Sequence, residues 1–134
     1  MAAISFLLFV TVIHSDDLIA QDINTTTLTQ KAIKLSTKGK LKEALKVFQE
    51  IAEKEPNNIY SLNNLGKAYS DLNKLEKAIA YFRKALAINP GFWMAENNLA
   101  DAHKRAGNYK QAEILLKKVL KNFSKLELAN ANLG

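Results

Sequence analysis

The chain has 134 residues, 48% hydrophobic and 24% charged, which suits one modest folded domain and excludes disorder throughout. Its net charge of +6 comes mostly from lysines scattered through every segment after Lys31, which reads first as a solvated surface and second as a preference for an acidic partner. There is no cysteine, so disulfides, thiolate zinc sites, a catalytic thiol and a lipid-modified cysteine are excluded.

The first segment, "MAAISFLLFVTVIHSDDLIAQD", has a nearly unbroken apolar run from Ala2 to Ile13, and no Lys or Arg occurs before Lys31. The run has the length of a signal-peptide core and is too short to span a bilayer comfortably. Residues 1–20 are therefore read as an export leader, with cleavage after Ser15 or Ala20, and the protein as periplasmic or secreted. The competing reading is a hydrophobic helix packed on the fold of a cytoplasmic protein, which the missing basic n-region supports. In a eukaryotic secretory route, "NTT" at Asn24 and "NFS" at Asn122 would be glycosylation sequons.

Beyond the leader the chain repeats itself. "NNLGKAY" at Asn63 to Tyr69 returns as "NNLADAH" at Asn97 to His103, an offset of 34 residues. The same offset aligns Ala44 with Ala78 and Ala112, Phe48 with Phe82 and Leu116, and Ala32 with Gly66 and Ala100. It pairs Pro56 with Pro90, and Ser124 breaks that series. Self-similarity of this length marks a stacked array of one supersecondary unit.

Each unit reads as two helices. Leu62, Leu65, Ala68 and Tyr69 form one apolar stripe, and Leu75, Ala78, Ile79, Phe82 and Leu86 form another, both at three- and four-residue steps. Breaks fall at "KGK" around Gly39, "DLNKLE" around Asn73 and "AGN" around Gly107, and the prolines stop the second helices of the first two units. The small residues predict close crossing of the two helices, with Phe and Leu filling the space beside the crossing. No hairpin buries such a surface alone, so neighbours must stack.

The residues Leu62, Leu65, Gly66, Tyr69, Ala78, Phe82, Ala85 and Pro90 resemble the tetratricopeptide repeat family in order and spacing. The resemblance implies an all-α, right-handed superhelical solenoid of antiparallel hairpins. Repeats are expected at 25–58, 59–92 and 93–126, with 127–134 as the first half of a fourth repeat's leading helix. The outer repeats depart from the pattern at Lys31, Glu96 and His103. The stub at 127–134 suggests a fragment of a longer array, and the apolar Leu126, Leu128 and Leu133 suggest self-association through an open C-terminal end.

In the resembling family the first helix of each repeat lines a concave partner-binding face. Here that face would carry Tyr60, Asn63, Asn64, Lys67 and Asp71 from the second repeat, and Met94, Asn97, Asn98, Asp101 and Arg105 from the third. Asn64, Asn98 and Asn132 recur at the repeat spacing, resembling the asparagine ladder of O-linked N-acetylglucosamine transferase, which holds a peptide by its main chain. The other reading is that Asn is simply a common surface residue at this site. A clamp for a C-terminal carboxylate would need Lys at Thr29, Asn at Ile33, Lys at Met94 and Arg at Asn98; only Asn64 fits it.

No catalytic constellation, phosphate loop, metal-ligand spacing or cofactor motif stands out, and His103, at a core tyrosine site, reads as a packed residue. Phe92 and Trp93 read as inter-repeat packing rather than a platform for bases, and nucleic-acid binding through the late lysines ranks third. The expected function is a non-enzymatic scaffold for a protein or peptide partner, with no small-molecule substrate. The alternative is the substrate-recruiting array of a larger enzyme, such as a glycosyltransferase.

Overall fold

The computed structural model describes residues 24–133, and of side chains after Lys125 only that of Glu127. The leader at 1–20 and the side chain of Asn132 lie outside the described residues, as do the side chains of Leu126, Leu128 and Leu133. Six helices follow one another: α1 at 24–37, α2 Leu41–Lys54, α3 Ile59–Asp71, α4 Leu75–Ile88, α5 Trp93–Arg105 and α6 Tyr109–Leu133. Every described element is helical, and the architecture is the all-α solenoid expected.

The turn inside each hairpin is built the same way three times. Gly39, Asn73 and Gly107 have φ of 74°, 57° and 82°. The left-handed residue lets the next N–H reach back to the helix: Lys40 donates to Leu35, Lys74 to Tyr69 and Asn108 to His103, at 2.8–3.0 Å. These are the long-range bonds of a Schellman ending, which satisfies carbonyls the helix leaves open. Asparagine serves in the middle turn because its short polar side chain tolerates this conformation better than other non-glycine residues.

Between hairpins the prolines lie in short turns. After Pro56, Asn58 begins α3 by accepting from the N–H groups of Tyr60 and Ser61, which fills two of the helix's open donors. Successive helices pack together, and α3 also touches α5, which is how one repeat stacks on the next. Ala32, Ala44, Ala78, Ala100 and Ala112 are all buried. At Gly66 the crossing is so close that a methyl group would stand 2.6 Å from the Phe82 ring.

A continuous core joins Ala32, Phe48, Leu65, Tyr69, Phe82 and Leu99, and so draws on α1 through α5. Each large side chain there contributes about 1.5–3 kcal/mol on burial. A second cluster, Leu62, Ala85, Phe92 and Ala95, seals the opposite end of the α3–α5 stack.

The end of the chain differs from the expectation. Residues 127–133 do not start a new helix: α6 runs through the predicted boundary at 126 and 127 as one element of 25 residues. Ser124 is the physical reason. Where proline would lack a donor and clash with the preceding turn, serine keeps its N–H, and its hydroxyl donates to the Leu120 carbonyl at 3.0 Å.

Candidate functional site

The predicted partner-binding residues whose side chains are described lie on α3 and α5, and the seams that the leading helices α1, α3 and α5 make with one another differ. Between α3 and α5 the seam is closed by polar bonds. Asn98 Nδ2 donates to Asn63 Oδ1 at 2.9 Å, and Arg105 donates to the Ser70 hydroxyl at 2.6 Å and the Ser70 carbonyl at 2.9 Å. Arg105 also reaches Asn73 Oδ1 at 3.4 Å and lies 3.9 Å from Asp101. Asn63 is buried.

Between α1 and α3 the seam is open. One cleft of about 230 Å³ is lined by Ile33, Ser36, Phe48, Asn64, Lys67 and Asp71, among others. A second, of about 220 Å³, is lined by Thr26, Thr29, Gln30, Tyr60, Ser61 and Asn64, again among others. Asn64 belongs to both. It is half-buried, and its amide has no hydrogen-bond partner among the described residues. An amide in that position can donate and accept at once, as a peptide main chain requires.

The remaining predicted residues divide by setting. Tyr60 is exposed and stacks edge-on against Phe92 at 5.2 Å, while Met94 packs partly buried in the second core cluster. Lys67, Asp71, Asn97 and Asp101 are exposed. The sequence reading missed four contributors to the second cleft, Thr25, Glu55, Asn58 and Ser61. Glu55 accepts from Asn58 Nδ2 at 2.9 Å and from the Ser61 hydroxyl at 3.1 Å, so it orders the start of α3. The run "EPNNIYS" hints at that cap, since Asn58 precedes an apolar stripe.

Phe92 is buried between repeats, whereas Trp93 is half exposed and meets Phe123 of α6 edge-on at 5.7 Å. His103 is buried, and burial together with the nearby Arg83 charge lowers its pKa from the ordinary 6.5. Asn108 Nδ2 lies 3.4 Å from its Nδ1. Among the described residues no cluster of His, Asp and Glu could hold a metal, and no helix is long and apolar enough to cross a membrane.

This geometry coincides with a known family pattern: the tetratricopeptide repeat family model matches residues 59–92, and a second model of that description matches 97–121. The chain carries tetratricopeptide repeats. A PPR repeat model matches residues 34–55, in the first hairpin. The array is 30% identical over 137 aligned residues to the tetratricopeptide repeat and J domain-containing co-chaperone DNJ1 of Fusarium oxysporum f. sp. lycopersici. That alignment takes in 100% of this chain and 26% of the co-chaperone, so the chain spans about a quarter of that relative.

Solved structures agree on the fold. The Sgt2 tetratricopeptide domain from Aspergillus fumigatus superposes with a TM-score of 0.69 at 20% identity, covering 83% of each chain. The first such domain of Spaghetti (RPAP3), bound to the HSP90 peptide SRMEEVD, gives 0.68 at 20% identity, covering 82% of this chain and 94% of that one. The tetratricopeptide array is thus a right-handed helical solenoid like theirs.

Proposed function

We propose that this array is a non-catalytic scaffold that holds an extended peptide of a partner protein on its concave face, seated between α1 and α3. Asn64 carries the proposal: a half-buried amide, without a hydrogen-bond partner among the described residues, placed where two clefts meet. The hydroxyls and amides of Thr26, Thr29, Gln30 and Ser36 around it suit main-chain recognition, in the manner of an asparagine ladder of which Asn64 is the free rung. The Asn98 rung is already engaged by Asn63. An acidic tail such as the HSP90 peptide held by Spaghetti is not the expected ligand, since Thr29, Ile33, Met94 and Asn98 stand where the clamp needs cations and amides.

The test is selection of peptides from a random display library against the full chain, followed by titration of the winners. Asn64→Ala should weaken them about tenfold, the scale of one well-placed polar contact, with the helical circular dichroism unchanged. Peptides that bind Asn64→Ala as tightly as the parent chain would place recognition elsewhere.

The alignment of the whole chain with a J-domain co-chaperone supports a second setting for the same groove, as the recruiting segment of a longer protein. That setting has more support than the larger-enzyme alternative, which no feature of the groove favours. For compartment we propose export, on the apolar run from Ala2 to Ile13.

A further inference from the structure

Helices α2 and α4 both pack on α3, and a cleft of about 250 Å³ lies between them. Leu62 and Leu65 of α3, both buried, form its floor, on the side of that helix opposite Asn64. Ala52 and Pro56 line one wall and Tyr81 the other, with Gln49 and Glu53 on the α2 rim and Lys84 on the α4 rim. The walls are braced across the hairpins: the Tyr81 ring stacks on Tyr69 at 5.4 Å, and the Tyr69 hydroxyl accepts from Gln49 Nε2 at 3.0 Å. All these residues lie inside the first two hairpins, between Gln49 and Lys84.

One repeat further on, the chain fills the same place itself. Pro90, Glu96 and Lys118 correspond to Pro56, Leu62 and Lys84 at the offset of 34 residues. Lys118 crosses that seam, its ammonium against the Glu96 carboxylate and 3.4 Å from the Pro90 carbonyl. In the α2–α4 cleft Leu62 offers Lys84 no carboxylate, and Lys84 lies instead over the Tyr81 ring, 4.8 Å from its centroid. The apolar floor is therefore left open. At about 250 Å³ the cleft is smaller than the roughly 300–1,000 Å³ of small-molecule sites and suits one large side chain. Its rims differ in sign: Glu53 and Lys84 face each other across it, and neither forms an ion pair among the described residues. Lys77, over the Tyr69 ring, adds a second cation on the α4 side. A groove between two helices, floored by a third, is a seat for another helix. We propose that the α2–α4 cleft docks an amphipathic helix of a partner protein, which inserts one leucine-sized side chain and sets an acidic residue toward Lys84 and a basic residue toward Glu53.

This site is separate from the α1–α3 groove. The experiment titrates the full chain into dye-labelled helical peptides that carry a Glu and a Lys on opposite flanks of a central Leu, or of an Ala in its place, and follows their fluorescence anisotropy. The leucine peptide should bind at least about tenfold tighter than the alanine peptide. Leu62→Glu gives Lys84 the carboxylate that Lys118 has in Glu96, and should close the cleft and weaken binding about tenfold. Ala52→Leu, which places there the residue type of Leu86, should do the same by filling the cleft from its wall, and Lys84→Glu by setting two acids on the rims. Asn64→Ala should leave the affinity unchanged. Equal binding of the two peptides, no binding at millimolar concentration, or full affinity in Ala52→Leu would overturn the proposal. So would loss of binding in Asn64→Ala, by placing the peptide in the α1–α3 groove, and a dimer of the chain alone that Ala52→Leu dissolves, by making a second copy the occupant.

Discussion

Lys118 on α6 sets its ammonium against the carboxylate of Glu96 on α5, a side chain with no solvent exposure. Neither Glu96 oxygen accepts an aligned hydrogen bond among the described residues, so the ion pair is what offsets the carboxylate's burial there. Lys118 itself stays half exposed, its stem crossing from the surface toward Pro90, whose carbonyl lies at 3.4 Å. The last hairpin is therefore tied together by a charge in a place where the second repeat has Leu62.

Removing one partner should cost more than removing the charge altogether. Lys118→Ala strands the Glu96 charge and is expected to lower stability by about 3 kcal/mol. Glu96→Leu, which restores the residue type of the second repeat, is expected to be neutral or stabilising by about 1 kcal/mol. Urea denaturation of the two variants checks the order; a Lys118→Ala variant as stable as the parent would show that the pair contributes nothing.

The Gly66–Phe82 crossing gives a second expectation. Gly66→Ala removes a helix-weakening glycine, worth about 1 kcal/mol, but places a methyl group 2.6 Å from the Phe82 ring. Overpacking of this kind costs about 1–3 kcal/mol, so the net should be a loss of about 1 kcal/mol. The third repeat pairs Ala100 with Leu116 at the same sites, and Gly66→Ala combined with Phe82→Leu should accordingly be more stable than the sum of the single effects. Thermal melts of the double-mutant cycle measure this coupling.

Stability should also depend on pH through His103. Its folded-state pKa is lowered by burial first and by Arg83 second, so the unfolded chain binds the proton more readily. The contribution is complete above the ordinary value of 6.5 and is lost progressively as pH falls below it toward the folded value. His103→Tyr, the residue of the second repeat, should flatten that part of the profile. Denaturation midpoints at pH 7.5 and at successively lower pH, in both proteins, decide the matter, and parallel profiles would remove His103 as the cause.

Arg105→Ala should loosen the α3–α5 seam without touching the groove beside α1. The side chain is about a third exposed and donates to Ser70 and Asn73, so a loss of about 1 kcal/mol is expected. Hydrogen exchange should rise at the carboxyl ends of α3 and α5, while groove peptides keep their affinity. Loss of peptide binding in this variant would make Arg105 part of the recognition surface instead.

Export is checked at the amino terminus. Mass spectrometry of the protein from its native host should find a start at residue 16 or 21, after Ser15 or Ala20. An intact Met1 would make the leader part of a cytoplasmic protein.

The hairpin was legible in the sequence because its determinants are local or periodic. Apolar spacing fixes each helix face, proline stops α2 and α4, and Gly39, Asn73 and Gly107 mark the left-handed turns at one fixed interval. The small residues likewise announced the crossing that brings Phe82 onto Gly66.

Side-chain partnership is a different matter, since it depends on the angle at which one repeat stacks on the next. Asn63, Asn64 and Asn98 look alike in the sequence, yet packing buries the first against the third and leaves the second facing an open seam. The same holds for Glu96, whose charge looked out of place in a core until α6 brought Lys118 across from 22 residues away. Helix periodicity says which face a residue occupies, but only the stacked molecule decides whether an amide or a charge on that face is spent on a neighbouring helix or left for a partner.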